Sequence, residues 1–207
     1  MHTSHYTKAA AIYHHIAILL VFFPIISSCS ISGTTRPAHF YVLDATATPS
    51  AGELSGLRLG VGPILIPGYI DRPQIVTKSE SAKLHYAEYE RWAEPMDKMF
   101  TRILTQNITL ATGSNNIISH PWSASANLNN ELTAKIIKFE NNINGDALLA
   151  VQWQLLNNSD RNQSSSVYSE FTARAESSDY SSQVTALNDT IKQFAHTVIN
   201  HLASQSQ

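Results

Sequence analysis

The sequence predicts an α+β fold in a single domain, a mostly antiparallel sheet covered by two amphipathic helices in the order strands, helix, strands, helix. Two stretches carry apolar residues at three- and four-residue intervals, the repeat of a helix with one buried face. Several others alternate apolar and polar residues, the repeat of a strand with one covered face. The remaining stretches are rich in Asn, Asp, Gly, Pro and Ser, as turns require.

The first strand is expected at "FYVLD" (40–44), and the loop "ATATPSAGELSG" leads to a second at "LRLGVGPILI" (57–66). Pro63 within that run points to an edge position or a bulge, because proline donates no ladder hydrogen bond. "PGYIDRPQ" turns the chain, and "IVTKS" and "KLHYAEYERW" read as the next strands. In the latter, Leu84, Tyr86 and Trp92 alternate with His85, Ala87 and Arg91, while Glu88 and Glu90 interrupt a simple inner face. The first helix is predicted over 94–108, on the stripe Met96, Met99, Phe100, Ile103, Leu104 and Ile108. Pro95 suits its first turn and Gly113 its end.

Four strands follow, at "NIISH" (116–120), "ELTAKIIKFE" (131–140), "DALLAVQWQLLN" (146–157) and "SSVYSEFTARAE" (165–176), with "NNINGD" and "NNSDRNQ" as hairpin turns. The second helix carries Val184, Leu187, Ile191, Phe194, Ala195, Val198 and Leu202 on one face, with Ser178 and Asp179 as candidate caps.

Ahead of the domain lies a different kind of segment. A polar start containing Lys8 precedes the apolar run "IAILLVFFPII" (16–26) and the small residues Ser27 and Ser28. This is the tripartite pattern of a secretory signal. The run is too short to cross a bilayer comfortably, which takes roughly 20 apolar residues. Immediately after it stands Cys29, the chain's one cysteine, which can form neither an internal disulfide nor a multi-thiolate metal site. "ISSC" (26–29) resembles the bacterial lipobox, whose cysteine is lipidated and becomes the first residue after cleavage. The alternatives are an ordinary signal peptide or an uncleaved anchor with an incidental cysteine. Ser30, where an aspartate would hold such a protein in the inner membrane, favours the outer membrane by the same resemblance. The expected organisation is a signal peptide over 1–28, a lipidated tether over 29–39 and one domain over 40–207. No cofactor is expected beyond the diacylglycerol and acyl chain on Cys29.

The balance of 14 basic and 16 acidic residues argues against nucleic acid as a partner. Four of the nine histidines (His2, His5, His14, His15) fall in the leader, and the other five (His39, His85, His120, His196, His201) lack metal-ligand spacing. No nucleophile elbow, zinc-protease pair or phosphate loop is present. Glu88, Glu90 and Glu94 could supply an acid and a base, but a solvated or partner-facing strand edge explains them without catalysis, so no enzymatic activity is expected.

Two segments resemble a known family. "IPGYIDRPQIVTK" (66–78) and "YERWAEPMDKMFTRILTQNI" (89–108) are similar to the signatures of the PqiC/YmbA-type lipoproteins, auxiliary components of MCE-type lipid transport systems. Pro67, Tyr69, Asp71, Arg72, Pro73, Gln74, Ile75 and Val76 match the first signature, and Arg91, Trp92, Ala93, Glu94 and Pro95 the second. Gly68 departs from it, standing where an acidic residue is common.

The resemblance implies an outer-membrane-anchored, periplasm-facing subunit that docks with an MCE-domain protein and its membrane partner and contributes to envelope integrity. A homo-oligomeric ring is a further possibility. A periplasmic lipid carrier or chaperone is the alternative. Tyr69, Asp71, Arg72, Arg91 and Glu94 are the candidate partner-binding residues. For the same segments a structural reading stays open: Tyr69 as a core plug, Asp71 as a turn cap or ion-pair partner, Trp92 as core and Glu94 as a helix cap.

Overall fold

The computed structural model describes residues 36–50, 54–79, 81–123, 125–158 and 165–205. The chain divides into residues 1–37 and 38–207, and every described element belongs to the second unit. The signal segment, Cys29 and most of the tether lie outside the described residues.

Eight strands form one sheet: β1 (His39–Tyr41), β2 (Leu59–Leu65), β3 (Gln74–Lys78), β4 (Leu84–Trp92), β5 (Ile117–Ser119), β6 (Asn130–Asn142), β7 (Ala147–Asn157) and β8 (Val167–Ala173). Among the described residues the sheet is accompanied by two helices, α1 (Met96–Thr112) and α2 (Tyr180–Gln205). The α+β class and the order of elements are as the sequence predicts.

The sheet is mixed, which corrects the expectation of mostly antiparallel pairing. β1–β4, β2–β5, β2–β6 and β3–β6 are parallel, while β3–β4, β6–β7 and β7–β8 are antiparallel. Alternation along a strand reports which face is covered and carries no information about a neighbour's direction.

Strand β6 is where the sheet forks. One of its edges pairs with β7 from Asn130 to Asn141. Along the other, β2 occupies Asn130–Lys135 and β3 meets only Asn141 and Asn142. β2 and β3 therefore run in one direction along a single edge, and residues 66–73 leave that line between them. Pro67 and Pro73 bound the excursion, and neither can donate to a ladder.

Pro63 sits at a bulge, where the register with β6 shifts between Val61 and Ile64. β5 pairs with β2 only from Leu59 to Val61, so at Pro63 the strand is bulged against β6 and locally an edge on its other side, and both readings of Pro63 hold. Gly62 has φ +119 there, and a Cβ would stand 2.7 Å from that of His120, so only glycine fits. At the β6–β7 turn, Gly145 has φ 90, and Asn142 Oδ1 accepts from the backbone N–H groups of Asn144 and Asp146, each at 2.9 Å. The predicted "NNINGD" turn is thus an Asx-type hairpin.

Helix α1 begins at Met96, two residues later than predicted. Pro95 is the capping residue with extended backbone (φ −56, ψ 136), and its carbonyl accepts the Met99 N–H at 3.0 Å. The helix runs on to Thr112 and ends at Gly113 in the left-handed conformation, φ 68. Asp179 caps α2: its Oδ1 accepts the Ser182 N–H at 3.0 Å. Hydrogen bonds from the Ser177 hydroxyl and then Ser182 hold this carboxyl down at about 2.

Both predicted helical stripes are buried. Phe100 meets Phe139 of β6 edge to face at 5.3 Å, and Phe194 packs between Trp153 and Phe171, each at 5.8 Å. His201 rests on Trp153 at 5.5 Å, a packing role, while His196 is exposed. Residues 42–50 form no regular element, yet Leu43 and Ala47 are core. Asn107 of α1 holds this segment by accepting the Thr46 and Ala47 N–H groups at 3.0 and 2.8 Å.

Candidate docking site

The two signature segments are hydrogen-bonded to each other. The Trp92 N–H donates to the Pro73 carbonyl at 2.7 Å, and Gln74 stands opposite Arg91 across the β3–β4 ladder. The Ala93 N–H donates to the Tyr41 carbonyl at 2.9 Å, which draws in β1. Spacing along the chain hides this junction, because the β3–β4 hairpin separates the segments.

Within the excursion the side chains divide into two sets. Ile70 is buried and Tyr69 packs against the core. The Tyr69 hydroxyl donates to Glu140 Oε2 at 2.8 Å, in the stretch of β6 that neither β2 nor β3 covers. Glu140 is only 4% exposed, and Lys78 Nζ lies 3.5 Å from its other oxygen. Burial and then the Glu140 carboxylate push the Tyr69 hydroxyl well above the usual tyrosine range. Tyr69 therefore occupies the core-plug position.

Asp71 and Arg72 point the other way and are exposed. The Asp71 carboxylate has no partner among the described residues. Its backbone N–H closes the turn onto the Pro67 carbonyl at 3.2 Å. The Arg72 guanidinium lies over the Tyr86 ring, 4.6 Å from its centroid, a cation–π contact that holds an exposed arginine in place.

In the second segment Trp92 is buried at 5% exposure. Arg91, half-buried, donates from Nε to the Glu88 carbonyl at 3.1 Å. Glu94 is not the cap of α1, whose first turn receives no side-chain hydrogen bond. It pairs instead with Arg102, two turns into the helix. Starting α1 at Met96 leaves Glu94 in the extended approach, from which its carboxylate reaches along the helix flank.

Glu94 and Arg102 line a cleft of about 370 Å³ between the start of α1, β2 and the end of β5, with Lys98 and His120 on its rim. Glu90 faces elsewhere, accepting from the Tyr41 hydroxyl at 2.6 Å and lying 3.0 Å from His39 Nδ1. Burial and the Glu90 contact push the Tyr41 hydroxyl up to about 12. Glu88 is exposed. The acidic trio thus holds three different environments. The structure brings Asp71, Arg72 and Arg91 to the fork, places Glu94 in the neighbouring cleft and turns Tyr69 inward. Sequence reasoning missed Tyr86, Arg102 and Glu140. Of these only Arg102, on the same helical segment, was within reach of a spacing argument.

The described domain is thus a sheet with two helices packed on it and two signature loops joined by backbone hydrogen bonds. The chain belongs to the family of ABC-type transport auxiliary lipoprotein components, whose model matches residues 41–199. It is thereby a lipoprotein component of a transport system at the cell envelope. Its fold is similar to that of protein XCC0632 from Xanthomonas campestris, with TM-score 0.64 and 17% identity, over 81% of this chain and 99% of that one. A crystal structure of an uncharacterised protein is similar over the same shares of the two chains, with TM-score 0.67 and 14% identity. The sequence matches no curated protein.

Proposed function

We propose that the chain is an outer-membrane-anchored, periplasm-facing subunit that docks with an MCE-domain protein of an intermembrane lipid transport system and performs no reaction of its own. The observation that carries this reading is the exposed pair Asp71 and Arg72 on a loop fixed at both ends. Tyr69 anchors the loop to β6, Pro73 accepts from Trp92, and Tyr86 holds the guanidinium. A loop already ordered loses little entropy when a partner engages it, and arginine is a common anchor of interfaces.

The purified lipoprotein is expected to pull down its MCE partner, and Arg72→Ala and Asp71→Ala to weaken that capture at least tenfold with Tm unchanged. Variants that melt early and still bind in proportion to their folded fraction would remove the loop from the interface.

The anchor rests on Cys29. Cys29→Ala is expected to abolish palmitate labelling and to leave unprocessed precursor in the inner membrane. An alanine variant recovered as a mature species with the outer membrane would refute the anchor.

A further inference from the structure

We propose that a second cleft, at the far end of β2 from the excursion, is an anion subsite that takes a phosphate ester with a short polar substituent, with Arg58 as its main ligand. The cleft has a volume of about 250 Å³ and is lined by Arg58, Asn115, Asn116, Asn127, Ile118 and Leu128, among others. Its walls are fixed by the backbone. The Asn129 and Asn130 N–H groups donate to the Arg58 carbonyl at 3.0 and 3.2 Å, and the Leu59 N–H donates to the Asn116 carbonyl at 3.2 Å. The segment carrying Asn127 is clamped to β2, because Trp122 and Leu128 close over Gly60 so tightly that a Cβ there would lie 2.8 Å from each.

Ser125 is engaged by Ser123 at 2.8 Å, whereas the cleft's arginine and its three asparagines are exposed and open to a ligand. Arg58, Asn115, Asn116 and Asn127 make no side-chain hydrogen bond or ion pair with any described residue. The other described arginines are all engaged: Arg72 on Tyr86, Arg91 with the Glu88 carbonyl, Arg102 with Glu94, Arg174 with Asp146, and Arg36 also in contact. Among the described residues no acidic side chain lines the cleft.

A guanidinium fork beside three carboxamides offers more N–H donors than the two oxygens of a carboxylate accept well, and a phosphate group answers that geometry. Ligand pockets for drug-sized molecules run from about 300 to 1,000 Å³. This cleft is smaller, so it holds a phosphate with a glycerol-sized substituent lying on Ile118 and Leu128, and no acyl chain.

The ligand is either a free phosphate ester or the head group of a phospholipid, and two probes separate them. The full mature chain in detergent micelles is titrated with sn-glycerol 3-phosphate and with water-soluble dihexanoylphosphatidylglycerol, followed by amide NMR shifts. Saturable binding of either is expected, with shifts at Asn115, Asn116 and Asn127. The tighter probe names the source. Arg58→Gln, an exposed position whose structural contacts are made by its backbone, is expected to weaken binding at least tenfold and Arg174→Gln, at an exposed arginine outside both sites, to leave it unchanged. Absence of saturable binding by both probes, or equal binding by Arg58→Gln, overturns the proposal.

Discussion

Trp92→Ala is expected to destabilise the domain by about 3–5 kcal/mol, the usual cost of emptying a buried aromatic site. The indole is 5% exposed and sits where three strands meet. The residue's own backbone N–H is bonded to the Pro73 carbonyl, and the next residue's N–H to that of Tyr41. The cavity would open beside the joint that holds both signature loops, with little freedom for the backbone to collapse into it. Domains are stable by only about 5–15 kcal/mol, so a loss of this size is a large fraction of the total. Urea unfolding measures it: the midpoint should fall with the slope unchanged, since the slope follows the surface exposed on unfolding, which one truncated side chain barely alters. A loss below about 1 kcal/mol, closer to the scale of an exposed substitution, would mean that the indole does not close this joint.

The helices were the most legible part of the fold, and the reason is physical. A buried helical face must repeat every three or four residues whatever it packs against, so Ile103, Leu104, Phe194 and Val198 announced themselves as core. The strand faces were legible for the same reason in Leu149, Val151, Trp153 and Leu155, all buried. Direction and neighbour were not, because nothing in Leu59–Leu65 records that its partners β5 and β6 run parallel to it. The fork at β6 is a property of the assembled sheet. Leu43 and Ala47 were hidden because their segment is held by Asn107, far along the chain, and not by a local repeat. Of the candidate site, the exposed pair Asp71 and Arg72 could be named from the segment's composition. The inward turn of Tyr69 could not, since it follows from a vacant stretch of β6 that exists only once β2 and β3 are in place.

That inward turn makes Tyr69 the second sensitive position. Tyr69→Phe keeps the ring and removes the hydroxyl that donates to Glu140 at 2.8 Å, leaving a 4% exposed carboxylate with Lys78 at 3.5 Å as its remaining charged partner. Hydrogen bonds to charged groups contribute about 1.5–3 kcal/mol, and an orphaned buried acceptor costs about as much, so a loss of about 2 kcal/mol is expected. Glu140→Gln removes the carboxylate charge that the hydroxyl serves and can still accept, so the double variant should lose less than the sum of the two singles. Additive losses would show that the hydroxyl and the carboxylate do not act together. The same contact predicts an alkaline signature. Burial and Glu140 raise the hydroxyl's folded pKa above the value of about 10 of an unfolded tyrosine. A raised pKa stabilises the fold fully below that unfolded value, and the contribution is lost as pH climbs toward the folded one. Tyr41 and Tyr180 are shifted in the same direction, so the wild type alone does not isolate Tyr69. The stability difference between wild type and Tyr69→Phe does: it should be constant from neutral pH to about 10 and shrink above it. A difference that stays flat to the alkaline limit of folding would place the Tyr69 hydroxyl outside the Glu140 contact.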